Sequence, residues 1–361
     1  MATAMSADDR RIPVFLLTGF LGSGKTTVLK SILSAPDMAD TAVVINEFGE
    51  IGLDHLIVGA LEGETVLLRN GCVCCALRDD LKQTLLDLLG RAARGEVPRF
   101  GRIVIETTGL ADPVPILETL LSDPMLRHQF RLERTIVTLD AVFGASQLGR
   151  HDESVRQVAV ADRLLLTKAD IAEPADAEAA LAAARRINRG ARVETAGAPG
   201  YDPHALLEVS GRPAEDRLRD TRAWLAAFHH DHPAGHHAHD HDDGHDHAAR
   251  VRSLSLALDD RLDWNAFGVW LSALLHRHGR RILRVKGILD VNDVDGPVVL
   301  QAVEHLMHPP VHLPEWPEGP RGSRLVFITR DLDPEDIRRS LSAYLAAAAR
   351  LSTEADGHVA A

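Results

Sequence analysis

Cysteine is scarce in this 361-residue chain: there are three. All of them, Cys72, Cys74 and Cys75, lie together, which rules out a disulfide framework. Basic charge is also in deficit, with 40 Lys and Arg against 52 Asp and Glu and a net charge of −12. Without a Lys/Arg run, such a chain has no general attraction for nucleic acid or anionic membranes. No apolar stretch approaches the roughly 20 residues that span a bilayer. The first dozen residues carry Asp8, Asp9, Arg10 and Arg11 but no apolar core of a secretion signal. The expectation is a cytoplasmic protein with neither nucleic acid nor membrane as partner.

What is present is an ordinary globular composition, 45% hydrophobic and 25% charged, in a chain long enough for two or three domains. From Pro13 to about Val193, short β-rich runs alternate with helical patterns, which predicts an α/β fold with a mostly parallel sheet. The strand candidates are Val14–Thr18, Ala42–Asn46, Thr65–Leu68, Ile103–Glu106, Thr135–Leu139 and Leu164–Thr167. Helices are expected over Thr26–Ser34, Leu77–Arg94 and Asp176–Ile187. Beyond about Ser210 the rhythm is lost. It resumes as a small α+β domain, with strands at Arg252–Leu258, Ile282–Leu289 and Leu325–Thr329 and helices at Asp263–His278 and from Asp333 to about Ala348. Pro297–Val311 fits helix or strand equally. The expected division is 12–210, a 211–249 linker, 250–345, and a frayed tail over 346–361.

Gly19-Phe20-Leu21-Gly22-Ser23-Gly24-Lys25-Thr26 fits G-x-x-x-x-G-K-[ST] at every position, after an apolar strand and before a helix. Backbone N–H groups of such a loop surround phosphates. Lys25 supplies charge to them, and Thr26 offers a hydroxyl to Mg²⁺. Thr167-Lys168-Ala169-Asp170 ends another apolar strand. A carboxylate at Asp170 accepts from the ring N–H and exocyclic amine of guanine, whereas adenine presents no matching donors. Lys168 is expected along the base, and Thr167 stands where Asn is commoner. GTP is therefore the expected nucleotide. Ile105-Glu106-Thr107-Thr108-Gly109 supplies a strand-end acid for Mg²⁺ and a glycine, Gly109, in reach of a γ-phosphate.

Cys72, Cys74 and Cys75 are three soft donors just ahead of a predicted helix, whose dipole favours thiolate. Thiolates suit Zn²⁺, Cu⁺ or, less typically, Co²⁺, and three of them leave a tetrahedral site open at one position. A redox pair or inert buried thiols are the alternatives. Between residues 229 and 247 stand nine His and five Asp with no Leu, Ile, Val or aromatic residue. This stretch cannot bury enough apolar area to offset its ordering entropy and is expected to be a mobile loop. His229, His230, His232, His236, His237, His239, His241, His245 and His247 are candidate weak metal ligands, with a soluble spacer as the alternative. Trp264, Phe267, Trp270, Leu271, Leu274 and Leu275 on the Asp263–His278 helix are expected to pack, with His276 and His278 meeting the helix dipole or solvent.

Together these stretches resemble the CobW family of zinc-regulated GTPase metalloprotein activators, which belongs to the SIMIBI class of P-loop GTPases. The resemblance rests on Gly19–Thr27, Ile45–Asp54, Asn70–Cys75, Ile105–Pro113 and Thr167–Asp170, then on Leu283–Asp290, Trp316 and Leu325–Asp333, and covers about 12–345. It implies a GTP-hydrolysing metallochaperone that binds Zn²⁺ and passes it to a client metalloprotein. Alternatives are a Co²⁺ chaperone for cobalamin synthesis or nitrile hydratase, and a passive zinc store or sensor. The resemblance gives the Asn46–Gly49 stretch a switch role near the γ-phosphate. Glu47 would orient water, touch Mg²⁺ or complete the thiol site. Lys25, Glu47 and Glu106 are then the catalytic candidates. Gly19, Gly22, Ser23, Gly24, Thr26, Thr27, Gly109, Thr167, Lys168 and Asp170 are the nucleotide ligands. A nucleotide- or metal-dependent dimer is a further expectation.

Overall fold

A computed structural model describes residues 10–34, 36–46, 67–69, 77–209, 213–228, 247–316 and 321–359. The chain forms two compact units, one reaching to Pro213 and taking in His247 and Ala248, the other built from Ala214 onward. The first unit is a seven-stranded sheet with strand order β3-β2-β4-β1-β5-β6-β7. Its strands are β1 (Ile12–Gly19), β2 (Thr41–Asn46), β3 (Leu67–Arg69), β4 (Arg102–Thr107), β5 (Phe130–Asp140), β6 (Arg163–Thr167) and β7 (Arg192–Thr195). Every ladder in it is parallel. Parallel strands need crossovers, and these put helices on both faces. Central strands are accordingly buried on both sides, and β1 is buried from Pro13 to Gly19. Phe15, Leu17, Val104, Ile136 and Leu165 pack against Val28, Leu29 and Ile32 of α1 (Lys25–Leu33).

The helices that follow are α2 (Leu77–Arg94), α3 (Val114–Ser122), α4 (Pro124–Gln129), α5 (Gly144–Arg150), α6 (Asp152–Val160) and α7 (Pro174–Ile187). Four of them, α3 to α6, have no counterpart among the sequence-based expectations. At six to nine residues each, they are shorter than the window over which helical periodicity is read. Strand β7 also escaped, because its Arg-Val-Glu-Thr sequence is polar and only partly covered.

In the second unit, β13 (Ser323–Arg330) pairs antiparallel with both β8 (Val251–Leu258) and β9 (Ile282–Leu289). β10 (Val298–Val303) extends the sheet, with β11 (Leu306–Met307) and β12 (Val311–His312) pairing along it. The ambiguous 297–311 stretch is therefore strand and turn. Leu254, Leu256, Val285, Leu325 and Phe327 meet Phe267, Trp270 and Leu271 of α9 (Trp264–His278) and Ile337 and Leu341 of α10 (Pro334–Val359). Asp263 caps α9 by accepting from Ala266 N at 2.7 Å. The packing expected for this helix is present. Burial, followed by repulsion from Arg277 and Arg281, lowers the pKa of His278, the opposite of what a helix dipole alone would do.

Two further expectations fail. The 211–249 stretch is not all linker: α8 (Pro213–Ala226) occupies its start, and Leu218, Thr221, Trp224, Leu225 and Phe228 are buried. Their spacing of three and four residues is helical, but charged neighbours mask it. The last helix does not stop near Ala348 and runs on to Val359. No glycine or proline interrupts it before Gly357, and its Ala-rich middle has high helix propensity. Among the described residues, no helix is long and apolar enough to cross a membrane.

Candidate nucleotide site

Because all strands of the first sheet run the same way, their carboxyl ends share one edge. The order β4-β1-β5 makes β1 the point where the chain's progress along the sheet reverses, the usual place for a ligand crevice. The Gly19–Lys25 loop leaves β1 there and enters α1, whose N-cap is Gly24 with no side-chain cap. The first N–H groups of this helix therefore have no N-cap side chain to satisfy them. Gly19 has φ +146°, and a Cβ on it would stand 2.6 Å from Thr138 O, so only glycine fits. Lys25, 9% exposed, curls back and donates from Nζ to Gly19 O at 2.9 Å and Phe20 O at 3.1 Å. Its charge is thus gathered over the loop.

Thr26 Oγ1 donates to Glu106 Oε1 at 3.0 Å, bringing together the two residues expected to serve Mg²⁺. Parallel register causes this, since Leu17 of β1 pairs with Glu106 of β4. A hydroxyl and a buried carboxylate in contact are hard oxygen donors of the kind Mg²⁺ takes, so the residues fit that ion. Gly109 follows, and a Cβ there would lie 2.6 Å from Leu21 Cα. The Thr108–Asp112 loop therefore rests directly on the phosphate loop.

The side of the site expected to read the base is held differently. Thr167 Oγ1 donates to Ser23 O at 2.7 Å, with Leu139 O at 3.2 Å also in reach. The threonine that stands in place of asparagine thus ties β6 to the phosphate loop. Lys168, at φ +58°, donates from Nζ to Asp140 Oδ2 at 2.6 Å. The expectation for Lys168 was contact along a base, but in this structure a buried carboxylate holds its charge. Asp170 follows in a turn closed by Ile171 N and Ala172 N on Lys168 O, and it is exposed. Ser23 is buried, with its hydroxyl 2.6 Å from Thr138 Oγ1, and braces the loop from within. Gly22 and Thr27 are exposed.

Several residues of the site were not singled out from the sequence. Asp140 receives Val142 N and Phe143 N on Oδ1 as well as Lys168 on Oδ2. Its signal was available: an acid ending an apolar strand. Thr107 donates to Thr18 at 2.7 Å, and Ser23 in the loop meets Thr138, so hydroxyl residues at or near the ends of β1, β4 and β5 lie beneath the loop. Gln157 and Arg156 on α6 grip the Thr108–Asp112 loop, and nothing in the sequence announces them.

Glu47, Cys72, Cys74, Cys75 and His229 to His245 lie outside the described residues. His247 lies within them. Its N–H donates to Gly149 O at 3.1 Å and its Nδ1 is 2.6 Å from Asp152 Oδ1. Among the described residues, no three His, Cys, Asp or Glu side chains gather as a metal site.

Comparison with known proteins agrees with this geometry. Residues 13–195 match the family model described as CobW/HypB/UreG, nucleotide-binding domain, and residues 251–345 match the cobalamin synthesis protein cobW C-terminal domain. The zinc chaperone YjiA of Escherichia coli is 34% identical over 331 residues, covering 92% of this chain and 98% of that protein. The zinc chaperone CobW of a Sinorhizobium species is 27% identical, covering 94% and 99%. The crystal structure of Zn(II)-bound YjiA GTPase from E. coli aligns with a TM-score of 0.67 at 28% identity, over 92% of this chain and 99% of that one. With both family models matched in order and a relative aligned nearly end to end, the chain belongs to the CobW family of P-loop nucleotide-binding proteins.

Proposed function

We propose that this protein hydrolyses GTP and uses the cycle to hold Zn²⁺ and release it to a client metalloprotein. The observation that carries the nucleotide half is the Thr26–Glu106 hydrogen bond beneath the Lys25 loop. It sets a hydroxyl and a carboxylate where a nucleotide-bound cation is needed. The loop N–H groups and the N-terminus of α1 take the phosphates, and Lys25 leans on the β- and γ-phosphates. Thr26 and Glu106 would hold Mg²⁺, which would supply positive charge against that developing on the phosphate oxygens. Gly109 N–H faces the γ-phosphate. Asp170 accepts both guanine donors, with the methylene stem of Lys168 beneath the base. Glu47 is assigned to the attacking water.

Zn²⁺ is the cargo, as the names of the YjiA and CobW relatives suggest. Cys72, Cys74 and Cys75 are its assigned tight ligands, which stay reduced in a cytoplasmic protein. The His-rich stretch is a weak collecting site, consistent with imidazole donors. The working division is a nucleotide domain over 12–210 and a carboxy-terminal domain over 250–345, with α8 of the intervening stretch belonging to the second compact unit.

The test is thermodynamic linkage. If GTP changes Zn²⁺ affinity, Zn²⁺ must change GTP affinity by the same factor, typically about 5- to 150-fold. Zn²⁺ affinity at the thiol site is expected to differ between protein loaded with a non-hydrolysable GTP analogue and with GDP. Converting all three cysteines to Ser is expected to abolish both the tight site and the reciprocal effect. Equal Zn²⁺ affinity in both nucleotide states would leave a zinc store in place of a GTP-driven chaperone.

A further inference from the structure

The Thr108–Asp112 loop is fastened by one helix. Gln157 on α6, 1% exposed, donates from Nε2 to Gly109 O at 3.2 Å and to Ala111 O at 3.1 Å. Both partners are carbonyls, so only the NH₂ end of the side chain satisfies them, and both of its protons are used on this loop. The neighbouring Arg156 donates to Asp112 Oδ2 at 3.1 Å, while Asp112 Oδ1 accepts from Val114 N at 2.9 Å to start α3. The helix is itself fixed at both ends. Asn188, fully buried, donates to the carbonyls of Val158, Ala159 and Ala161 at 3.0–3.2 Å, closing its carboxyl end. At its start the His151 ring lies 4.6 Å from the ring of Phe20 in the phosphate loop.

A glycine peptide rotates more freely than any other. Gly109 sits where that freedom would swing its amide away from a phosphate. The peptide that carries Gly109 N–H also carries Thr108 O, which accepts from Ala111 N at 3.1 Å. Gln157 holds the Gly109 and Ala111 carbonyls on the far side of this turn, and the close approach of Gly109 to the Leu21 backbone limits it from the other. We infer that Gln157 is a positioning residue for γ-phosphate recognition: it sets the Thr108–Asp112 loop against the phosphate loop, so that binding and hydrolysis of GTP depend on it and binding of GDP does not. The inference rests on the GTPase reading above. A buried amide that served stability alone would affect both nucleotides equally.

Three variants of the full chain test it. Gln157→Met keeps the shape and removes both donors. Gln157→Glu places acceptors against acceptors at neutral pH. Gln157→Asn keeps both donors on a stem one methylene shorter and covers the case in which the first two fail to fold. Melting temperature, affinity for a fluorescent GDP and for a non-hydrolysable GTP analogue, and kcat with Mg²⁺ are measured on each. GDP affinity is expected to stay within about twofold, while analogue affinity and kcat fall by roughly tenfold or more, as loss of two hydrogen bonds and a misplaced loop imply. Burial raises the pKa of a carboxyl, so Gln157→Glu should recover part of its kcat near pH 5.5, where the acid regains one donor, relative to Gln157→Met at that pH. Equal weakening of GDP and the analogue would overturn the inference, as would folded variants with unchanged analogue affinity and kcat. If the unmutated protein does not prefer GTP over ATP, the nucleotide reading itself fails, a result separable from any behaviour of the variants.

Discussion

The two sheets of this molecule are of similar size and differ in one respect that decides where chemistry sits. In the parallel sheet every strand finishes at the same edge, so Gly19, Thr107, Asp140 and Thr167, the last residues of β1, β4, β5 and β6, arrive together. In the antiparallel sheet Ser323, the first residue of β13, pairs with Leu258, the last of β8, while Arg330 pairs with Val251. Its strand ends are split between two edges, and among the described residues no three His, Cys, Asp or Glu side chains gather there as a metal site. What the second unit concentrates is apolar packing: Trp270 lies edge-on to Phe327 at 6.3 Å and is also tied by its indole N–H to Ser340. One sheet aligns chain ends, and the other fills a core.

The largest effect that probes this contrast is expected in the antiparallel unit. Phe327 is fully buried, and Phe327→Ala should destabilise that unit by about 3–5 kcal/mol through lost transfer energy and the cavity left behind. Calorimetry would register the lowered transition. GDP affinity measured below that transition should hold, and a parallel fall in GDP affinity would show that the functional edge is not self-sufficient.

Asp170→Asn should do the reverse. The residue is exposed, so stability should move by less than about 0.5 kcal/mol. Preference for guanine over adenine nucleotides should shrink by about 1.5–3 kcal/mol, because an amide puts a donor where two donors were accepted. Competition of ATP against a labelled GTP analogue reads this directly, and an undiminished preference would remove Asp170 from the base site.

The smallest effect belongs to the opposite edge of the parallel sheet, where α3 ends and β5 is about to begin. Asp123 caps α4, accepting from Met125 N at 2.9 Å and Leu126 N at 3.1 Å. Lys82, 2.7 Å away, holds its carboxyl below the ordinary range, with those N–H groups assisting. A pKa lowered on folding means that the carboxylate's contribution is present above its unfolded value of about 3.9 and disappears as pH falls through the folded one. Asp123→Asn keeps a capping oxygen and loses the titration. It should flatten the acid limb of the stability profile by about 0.5–1 kcal/mol and leave GTP hydrolysis at pH 7 unaltered. A stability profile that stays superimposable on that of the unmutated protein down to pH 3 would discount the ion pair.

The legibility of the site follows the distance over which its parts communicate. The strand–loop–helix placement of Gly19 to Lys25 was readable because a loop that wraps a phosphate must be contiguous. Thr167 to Asp170 could be named as a candidate base reader because one turn carries them all. The Thr18–Thr107 bond spans 89 residues and exists only through strand register. The Gln157–Gly109 bond spans 48 and depends on where a nine-residue helix docks. Neither leaves a local pattern. The Thr26–Glu106 meeting lies between these cases: both residues could be named in advance, but their contact needed the β1–β4 pairing. Helix α8 was misread for another reason, since its buried positions are right but its charged majority dilutes the pattern.

The bond from Thr167 to Ser23 O carries one more consequence. It joins the strand leading to Asp170, the proposed base reader, to the Gly19–Lys25 loop, proposed to cup phosphate, so the two segments cannot relax separately. A nucleoside settling against Asp170 would quiet the motions of the phosphate cradle before any phosphate arrives, and an inorganic diphosphate would do the same for the base pocket. The whole nucleotide therefore gains more than its two fragments bound one at a time, because the ordering of the shared segment is charged once instead of twice.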